Sequence, residues 1–353
     1  MFSDVVAALP TASPGYLPPD SDVVKLNQNE SPYDLTAEEW QSLLAALSAQ
    51  HLTRYPDPGH TLLEESLARL AGLPREMVMA GNGSSEVLDL LIRATCNPGD
   101  EVLTVGPTFH LYGRFCALNR AQLVEVEWAP DLGFPRRDVL RAITSRTKLL
   151  LLCRPNNPTG HLYPVDEVLA TSREFPGLVA VDEAYYEFAG DTLAPFTRSR
   201  TNLAVLRSLS KAYGAAGIRV GYLLAPAETV EAVRRIQVPY GMGCLTQAGA
   251  LFLLSHPEIM ERRRDAMLAG RQELASILMG VPGLTVLPSA TNFLLVRTAS
   301  SADALDRYLR SRRIVVRNLK WGDRHLRISV GTADDHQRLL HALMEFPANP
   351  DTR

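Results

Sequence analysis

The sequence predicts an α/β fold built on a mostly parallel sheet. From about residue 35, short apolar runs alternate with amphipathic helical patterns, which is the order of elements in parallel α/β proteins. The apolar runs are bounded by Gly, Pro or polar residues and are typical of strands buried on both faces. Four of them are Val102–Val105, Lys148–Cys153, Leu178–Val181 and Leu203–Leu206. We therefore expect a large domain in which helices sandwich this sheet.

An N-terminal arm is predicted to precede the large domain. Residues 1–34 contain several Pro, Asp, Ser and Asn, a composition that favours irregular structure. Residues 35–256 would form the large domain. Its predicted helix over Ser84–Cys96 has serine at its start, where a hydroxyl can cap the free N–H groups of the first turn.

A smaller C-terminal domain of the α+β type is predicted over residues 257–353. It begins with a long amphipathic helix, Pro257–Met279, whose basic run at 262–264 we interpret as a solvated helix face. Strands are expected at Thr291–Arg297 and Leu326–Val330. A chain of 353 residues with 46% hydrophobic residues is long enough for two domains.

Composition excludes several classes of protein. A net charge of -3 gives no excess of cations to displace counterions from a nucleic acid. The segment Met1–Leu17 lacks the pattern of a secretory signal, and no apolar stretch approaches the roughly 20 residues that span a bilayer. His and Cys show no metal-ligand spacing, so no metal is expected. We expect a cytoplasmic protein that binds neither nucleic acid nor membrane.

Lysines are scarce, which limits the candidates for amine chemistry. The chain has 36 Lys and Arg residues, but only Lys25, Lys148, Lys211 and Lys320 are lysines. Lys211 follows the predicted strand Leu203–Leu206 and lies among small residues. Ligands of open parallel sheets bind at the carboxyl ends of the strands, so Lys211 has the position that a reactive amine needs. Taken alone, an ordinary solvated lysine is the favoured interpretation of Lys211.

Polar segments gather after other predicted strands. The turn Gly81–Glu86 leads into a helix whose N–H groups suit a phosphate, although a plain helix cap is the favoured interpretation of this turn alone. Arg154–Gly160 is a turn that also offers amide donors. Asp182 ends an apolar strand and would hold either a cation or backbone amides. With Lys211 and Arg219, these segments match what pyridoxal 5'-phosphate requires: an amine, a carboxylate for the ring nitrogen and an anion site.

At these residues the chain resembles the fold-type I pyridoxal-phosphate aminotransferases, and among them the histidinol-phosphate aminotransferase family. The resemblance covers nearly the whole chain and implies the fold of that family. The motifs that carry it are Lys25–Pro32, Arg54–Asp57, Gly81–Glu86, Pro107–Phe109, Asn156–Gly160, Asp182–Tyr185, Ser208–Tyr222 and Leu326–Gly331.

The resemblance implies a role for each cofactor-binding residue. Lys211 would form the Schiff base and act as the base, Asp182 would pair with the pyridine nitrogen, and Tyr185 would bind the phenolic oxygen. Tyr55 would reach the cofactor phosphate of a neighbouring subunit, which implies a homodimer. The remaining cofactor contacts would come from Gly83, Ser84, Ser85, Phe109, Asn157, Ser208, Ser210 and Arg219.

For the substrate, the resemblance points to Tyr16, Asn29, Arg317 and Arg327. Arginine can meet a phosphate in one half-reaction and a carboxylate in the other. The expected reaction converts histidinol phosphate and 2-oxoglutarate into imidazole-acetol phosphate and glutamate, in histidine biosynthesis. Three alternatives stay open: an aromatic amino-acid aminotransferase, a lyase similar to threonine-phosphate decarboxylase, and a non-catalytic protein that retains the fold.

Overall fold

A computed structural model of the chain describes residues 2–10, 22–129 and 132–346. Tyr16 therefore lies outside the described residues. The strands are β1 (Val24–Leu26), β2 (Val78–Asn82), β3 (Glu101–Gly106), β4 (Gln122–Glu127), β5 (Thr147–Cys153), β6 (Leu178–Asp182), β7 (Leu203–Ser208), β8 (Val220–Leu224), β9 (Leu284–Val286), β10 (Phe293–Thr298), β11 (Ile314–Asn318) and β12 (His325–Ser329).

Helices cover both sheets and connect most of the strands. They are α1 (Asp4–Ala8), α2 (Ala37–Ser48), α3 (Thr61–Ala71), α4 (Gly83–Thr95), α5 (Leu111–Leu118), α6 (Arg136–Arg141), α7 (Val165–Glu174), α8 (Tyr186–Ala189), α9 (Ala227–Arg234), α10 (Cys244–Ser255), α11 (Pro257–Met279), α12 (Ala302–Ser311) and α13 (Ala333–Met344). In the described parts of the chain, no helix is long and apolar enough to cross a bilayer.

The large sheet has seven strands in the order β2-β8-β7-β6-β5-β3-β4. All pairs are parallel except the two that β8 makes with β2 and β7. Alternate residues of β5 enter different cores: Leu150 and Leu152 pack on one side, Leu149 and Leu151 on the other. This two-sided burial explains the uninterrupted apolar runs. The predicted α/β fold with a mostly parallel sheet is confirmed.

The small sheet has five strands in the order β1-β11-β12-β10-β9. Its first strand comes from the segment that the composition indicated as irregular: Val24 and Leu26 are buried, and β1 pairs in parallel with β11. A strand of three residues gives too short an alternation to be recognised in the sequence. The domain boundaries themselves stay a prediction.

The helix α11 has the predicted bounds, but one of its three basic residues differs from expectation. Arg262 and Arg264 lie at the surface, in ion pairs with acidic side chains. Arg263 is only 3% exposed and donates a hydrogen bond to the carbonyl of Tyr213 at 2.5 Å. The interpretation of this basic run as wholly solvated is therefore wrong, because the loop after β7 packs against this face of α11.

Candidate functional site

A cavity of about 500 Å³ opens at the carboxyl edge of the large sheet. The ends of β5, β6 and β7, the start of α4 and the strands β11 and β12 contribute to its walls. The cavity brings together these residues that the sequence singled out: Asn29, Ser84, Ser85, Phe109, Asn157, Asp182, Tyr185, Ser208, Ser210, Lys211, Arg219, Arg317 and Arg327. Most of the candidate residues, distant in sequence, thus meet in one place.

Lys211 lies in the loop after β7 and is partly buried. Its Nζ donates a hydrogen bond to the carbonyl of Gln28 at 3.1 Å. Burial, followed by repulsion from Arg327, lowers the pKa of Lys211 to about 8. Near neutral pH a useful fraction of this amine is therefore uncharged and able to act as a nucleophile or a base.

Asp182 ends β6 and is 6% exposed. Its Oδ2 accepts a hydrogen bond from the hydroxyl of Tyr112 at 3.0 Å, and its Oδ1 accepts one from the backbone N–H of Ala184 at 3.2 Å. Burial raises its pKa to about 6, although both hydrogen bonds oppose that rise. The carboxylate is therefore mostly ionised at neutral pH and suits a protonated ring nitrogen in the cavity.

The start of α4 beside Arg219 has the features of an anion site. The first N–H groups of α4 have no acceptors within the helix, and the helix dipole favours negative charge there. Gly83 has φ +78°, and a Cβ on it would lie 2.2 Å from Nη2 of Arg219. Arg219 itself has φ 62° and donates to Oγ of Ser210 at 3.4 Å. Glycine thus allows the guanidinium to approach the helix start closely.

Two arginines of the small sheet face the cavity from paired strands. Arg317 on β11 and Arg327 on β12 are partners in the antiparallel register. Arg327 is buried and donates to Oδ1 of Asn157 at 2.6 Å and to the carbonyl of Asn27 at 2.7 Å. Its Nε is buried and finds no hydrogen-bond acceptor among the described residues. Burial lowers the pKa of Arg327 to about 10, so it remains a cation at neutral pH.

The hydroxyl of Tyr185 accepts hydrogen bonds from two amides. Nδ2 of Asn29 lies 2.9 Å away and Nδ2 of Asn157 lies 3.4 Å away. Asn29 is held in turn by Ser329, whose Oγ accepts from its backbone N–H and donates to its Oδ1, both at 2.9 Å. Since both amides donate, the hydrogen of the Tyr185 hydroxyl is available to an oxyanion in the cavity.

Tyr55 does not reach this cavity. It is 83% exposed and packs against Tyr240 with ring centroids 4.7 Å apart. Within one subunit the structure therefore separates Tyr55 from the other candidate residues.

Several residues of the site were not predicted from the sequence. His110 and Glu30 line the cavity, and Tyr112 supports Asp182 from inside the protein. A signal for Tyr112 exists in the chain, because it follows Phe109 by one helical turn. The sequence alone does not indicate that this turn lies against the end of β6.

The set of groups fits a phosphorylated aromatic aldehyde. Lys211 supplies the amine, Asp182 a buried carboxylate, and the start of α4 with Arg219 an anion site. The cavity is within the size range of cofactor sites and leaves two arginines for a second, anionic molecule. Among the described residues no cluster of His, Cys, Asp and Glu could hold a metal ion.

Comparisons with known proteins agree over most of the chain. A model of the family "Aminotransferase class I and II" matches residues 21–343. The chain is 36% identical over 333 residues to histidinol-phosphate aminotransferase 2 from Bordetella bronchiseptica, covering 92% of this chain and 90% of the relative. It is 34% identical over 326 residues to histidinol-phosphate aminotransferase from Caldanaerobacter subterraneus, covering 91% and 92%.

A solved structure is similar over both sheets. The crystal structure of histidinol-phosphate aminotransferase from Sinorhizobium meliloti in complex with pyridoxal-5'-phosphate matches with a TM-score of 0.87 at 27% identity. The match covers 98% of this chain and 96% of the other.

Proposed function

The chain belongs to the class I and II aminotransferases, and on this premise we propose that it transfers the amino group of histidinol phosphate to 2-oxoglutarate. The products are imidazole-acetol phosphate and glutamate, a step of histidine biosynthesis. The observation that carries the proposal is the identity of 34–36% to histidinol-phosphate aminotransferases over nine-tenths of the chain.

The cofactor is pyridoxal 5'-phosphate, and the cavity has a group for each part of it. Lys211 is the amine for its aldehyde, and Asp182 is the carboxylate for its ring nitrogen. Tyr185 and Asn157 serve its phenolic oxygen, and Phe109 covers its ring. The phosphate contacts are assigned to Gly83, Ser84, Ser85, Ser208, Ser210 and Arg219. When bound, this cofactor supplies an aldehyde that condenses with amines and a ring that accepts electrons.

The protein's own residues control where the protons go. Lys211 takes the proton from the substrate's α-carbon, since its lowered pKa leaves part of it uncharged near pH 8. Asp182 stays ionised above about pH 6 and keeps a proton on the ring nitrogen. Tyr185 directs its O–H at the phenolic oxygen, because the two amide donors occupy its lone pairs.

Arg317 and Arg327 hold the anionic end of each substrate. They bind the phosphate of histidinol phosphate in one half-reaction and a carboxylate of 2-oxoglutarate in the other. The buried Nε of Arg327, without an acceptor among the described residues, is a donor for such an anion. Asn29 lies beside them, and Tyr16 stays a prediction from the resemblance.

The active enzyme is a homodimer in which Tyr55 contacts the partner's cofactor phosphate. Tyr55 is exposed, as expected for a group that serves another subunit. Exposed apolar side chains on neighbouring elements support the proposal that a second subunit covers this surface. They are Trp40, Leu44, Leu52, Leu62, Val238, Tyr240 and Leu245. Because the proposed substrate is charged and phosphorylated, we expect the enzyme to act in the cytoplasm.

One experiment tests the reaction. The purified protein, loaded with pyridoxal phosphate, is incubated separately with histidinol phosphate, phenylalanine and phosphothreonine, each with and without 2-oxoglutarate. Glutamate and carbon dioxide are then measured. We expect glutamate from histidinol phosphate only when 2-oxoglutarate is present, and no carbon dioxide.

Other outcomes would contradict the proposal. Preferred turnover of phenylalanine would make the protein an aromatic aminotransferase, and carbon dioxide from phosphothreonine would make it a lyase. The absence of any product and of any spectral change with all three amines would favour a non-catalytic protein.

A further inference from the structure

The hydroxyl of Tyr112 contacts the carboxylate of Asp182 from the protein side. We propose that Tyr112 is a positioning residue that keeps Asp182 ionised and aimed at the ring nitrogen of the cofactor, an inference that rests on the proposed function. Asp182 lines the cavity, whereas Tyr112 is fully buried and is not part of its lining. The hydroxyl of Tyr112 thus acts on the cavity through Asp182 and not directly.

The hydrogen bonds around Asp182 fix its orientation. The Tyr112 hydroxyl donates to Oδ2 at 3.0 Å, and the N–H of Ala184 donates to Oδ1 at 3.2 Å. The neighbouring thiol of Cys153 donates its hydrogen to the carbonyl of Pro155 at 3.3 Å. Each carboxylate oxygen therefore has one donor from the protein and keeps lone-pair capacity for a donor in the cavity.

The position of Tyr112 in the chain links two parts of the site. It stands in the first turn of α5, three residues after Phe109, and its ring meets that of Phe109 edge-on at 5.6 Å. One short segment therefore carries both the ring assigned to cover the cofactor and the hydroxyl that holds Asp182. A shift of this segment would therefore displace both groups.

The charge on Asp182 depends on this contact. Burial raises the pKa of Asp182 to about 6, and the hydrogen bond from Tyr112 is the first of the contacts that oppose this rise. Without the hydroxyl, the carboxyl would bind its proton more tightly. A protonated Asp182 no longer carries the negative charge that stabilises a protonated ring nitrogen, so the ring nitrogen would lose its proton more readily.

The test compares Tyr112→Phe with a matched control. Tyr163 is also buried, and its hydroxyl donates to the carbonyl of Cys153 at 3.1 Å, so Tyr163→Phe removes a buried phenolic hydrogen bond without touching Asp182. Each protein is loaded with cofactor labelled with ¹⁵N in the ring. The ring ¹⁵N chemical shift is followed from pH 6 to 8.5, and cofactor affinity is measured by titration.

We expect a protonated ring signal in the parent protein and in Tyr163→Phe. In Tyr112→Phe the signal should move toward that of neutral pyridine at pH 7.5, with cofactor affinity about tenfold lower, the effect of losing one hydrogen bond to a charged group. A parent-like signal in Tyr112→Phe, or equal changes in both variants, would overturn the inference. A parent protein that binds no cofactor would overturn the proposed function as well.

A second variant keeps the inference testable if Tyr112→Phe does not fold. Site-specific 3-fluorotyrosine at position 112 preserves the shape of the ring and makes its hydroxyl a stronger donor. The ring should then keep its proton to a higher pH than in the parent protein. An unchanged ¹⁵N titration would count against the inference, because a purely structural role does not depend on donor strength.

Discussion

Replacing Glu187 with Gln should make the folded protein less sensitive to alkaline pH. Glu187 lies in α8, two residues after Tyr185, and both of its carboxylate oxygens are buried without a hydrogen-bond partner among the described residues. Burial raises its pKa to about 8, and the nearby cations of Arg207 and Arg264 offset only part of this. Gln has nearly the same shape and no proton to release.

The size of the effect follows from the shift in pKa. In the unfolded chain Glu187 loses its proton near its ordinary pKa of 4.5, whereas the folded protein holds the proton until about pH 8. Between these pH values the folded state binds more protons than the unfolded state does, so the free energy of unfolding falls as pH rises. At about 1.4 kcal/mol for each pH unit, the free energy of unfolding falls by about 5 kcal/mol in total. About 1 kcal/mol of this fall has already occurred at pH 5.

Urea titrations at pH 5, 7 and 9, at constant protein concentration, measure this loss. We expect the stability of Glu187→Gln relative to the parent protein to improve by about 4 kcal/mol between pH 5 and pH 9. Any cost of burying the amide is the same at each pH and cancels in that difference. Glu228→Gln, at an exposed position on α9, serves as the control and should show no such trend. If Glu187→Gln keeps the same advantage at every pH, the reasoning is wrong.

Three further predictions concern the site. Gly83→Ala should weaken cofactor affinity about tenfold, as measured by titration, because the new Cβ would lie 2.2 Å from Nη2 of Arg219 and displace the guanidinium. An affinity equal to that of the parent protein would argue against this anion site. Arg327→Lys should raise KM for both substrates about 10- to 100-fold with little change in cofactor affinity, since lysine cannot bind an anion in the bidentate manner. Unchanged KM values would show that Arg327 does not bind substrate. The variants Tyr55→Ala and Lys211→Ala should each be nearly inactive, but mixing them should restore activity through hybrid dimers that contain one intact site. A mixture no more active than its separate components would contradict a site shared between two subunits.

The sequence was sufficient to predict the elements whose residues are almost uniformly buried. The strands β3, β5, β6 and β7 are buried along their length, and continuous apolar runs marked each of them to within two residues. The bounds of α11 were also predictable, since Pro257 opens the helix and Gly280 follows its end. In contrast, β1 has only three residues and is stabilised by its partner β11, far along the chain.

Much of the candidate site could be anticipated because its residues follow those strands. Lys211 was selected by the scarcity of lysine and its place after β7, and Asp182 by its place at the end of β6. The contact between Tyr112 and Asp182 joins residues 70 positions apart and depends on how α5 packs. Burial of Glu187 and Arg263 likewise depends on tertiary packing, which no local pattern records.

Reduction of the loaded protein with borohydride, followed by peptide mapping, tests the central claim most directly. If the amine of Lys211 is the covalent attachment point of pyridoxal phosphate, the reduced label will map to the peptide that contains residue 211, and Lys211→Ala will carry none. A label on Lys25, Lys148 or Lys320, or no label on protein that retains the cofactor, would contradict the account.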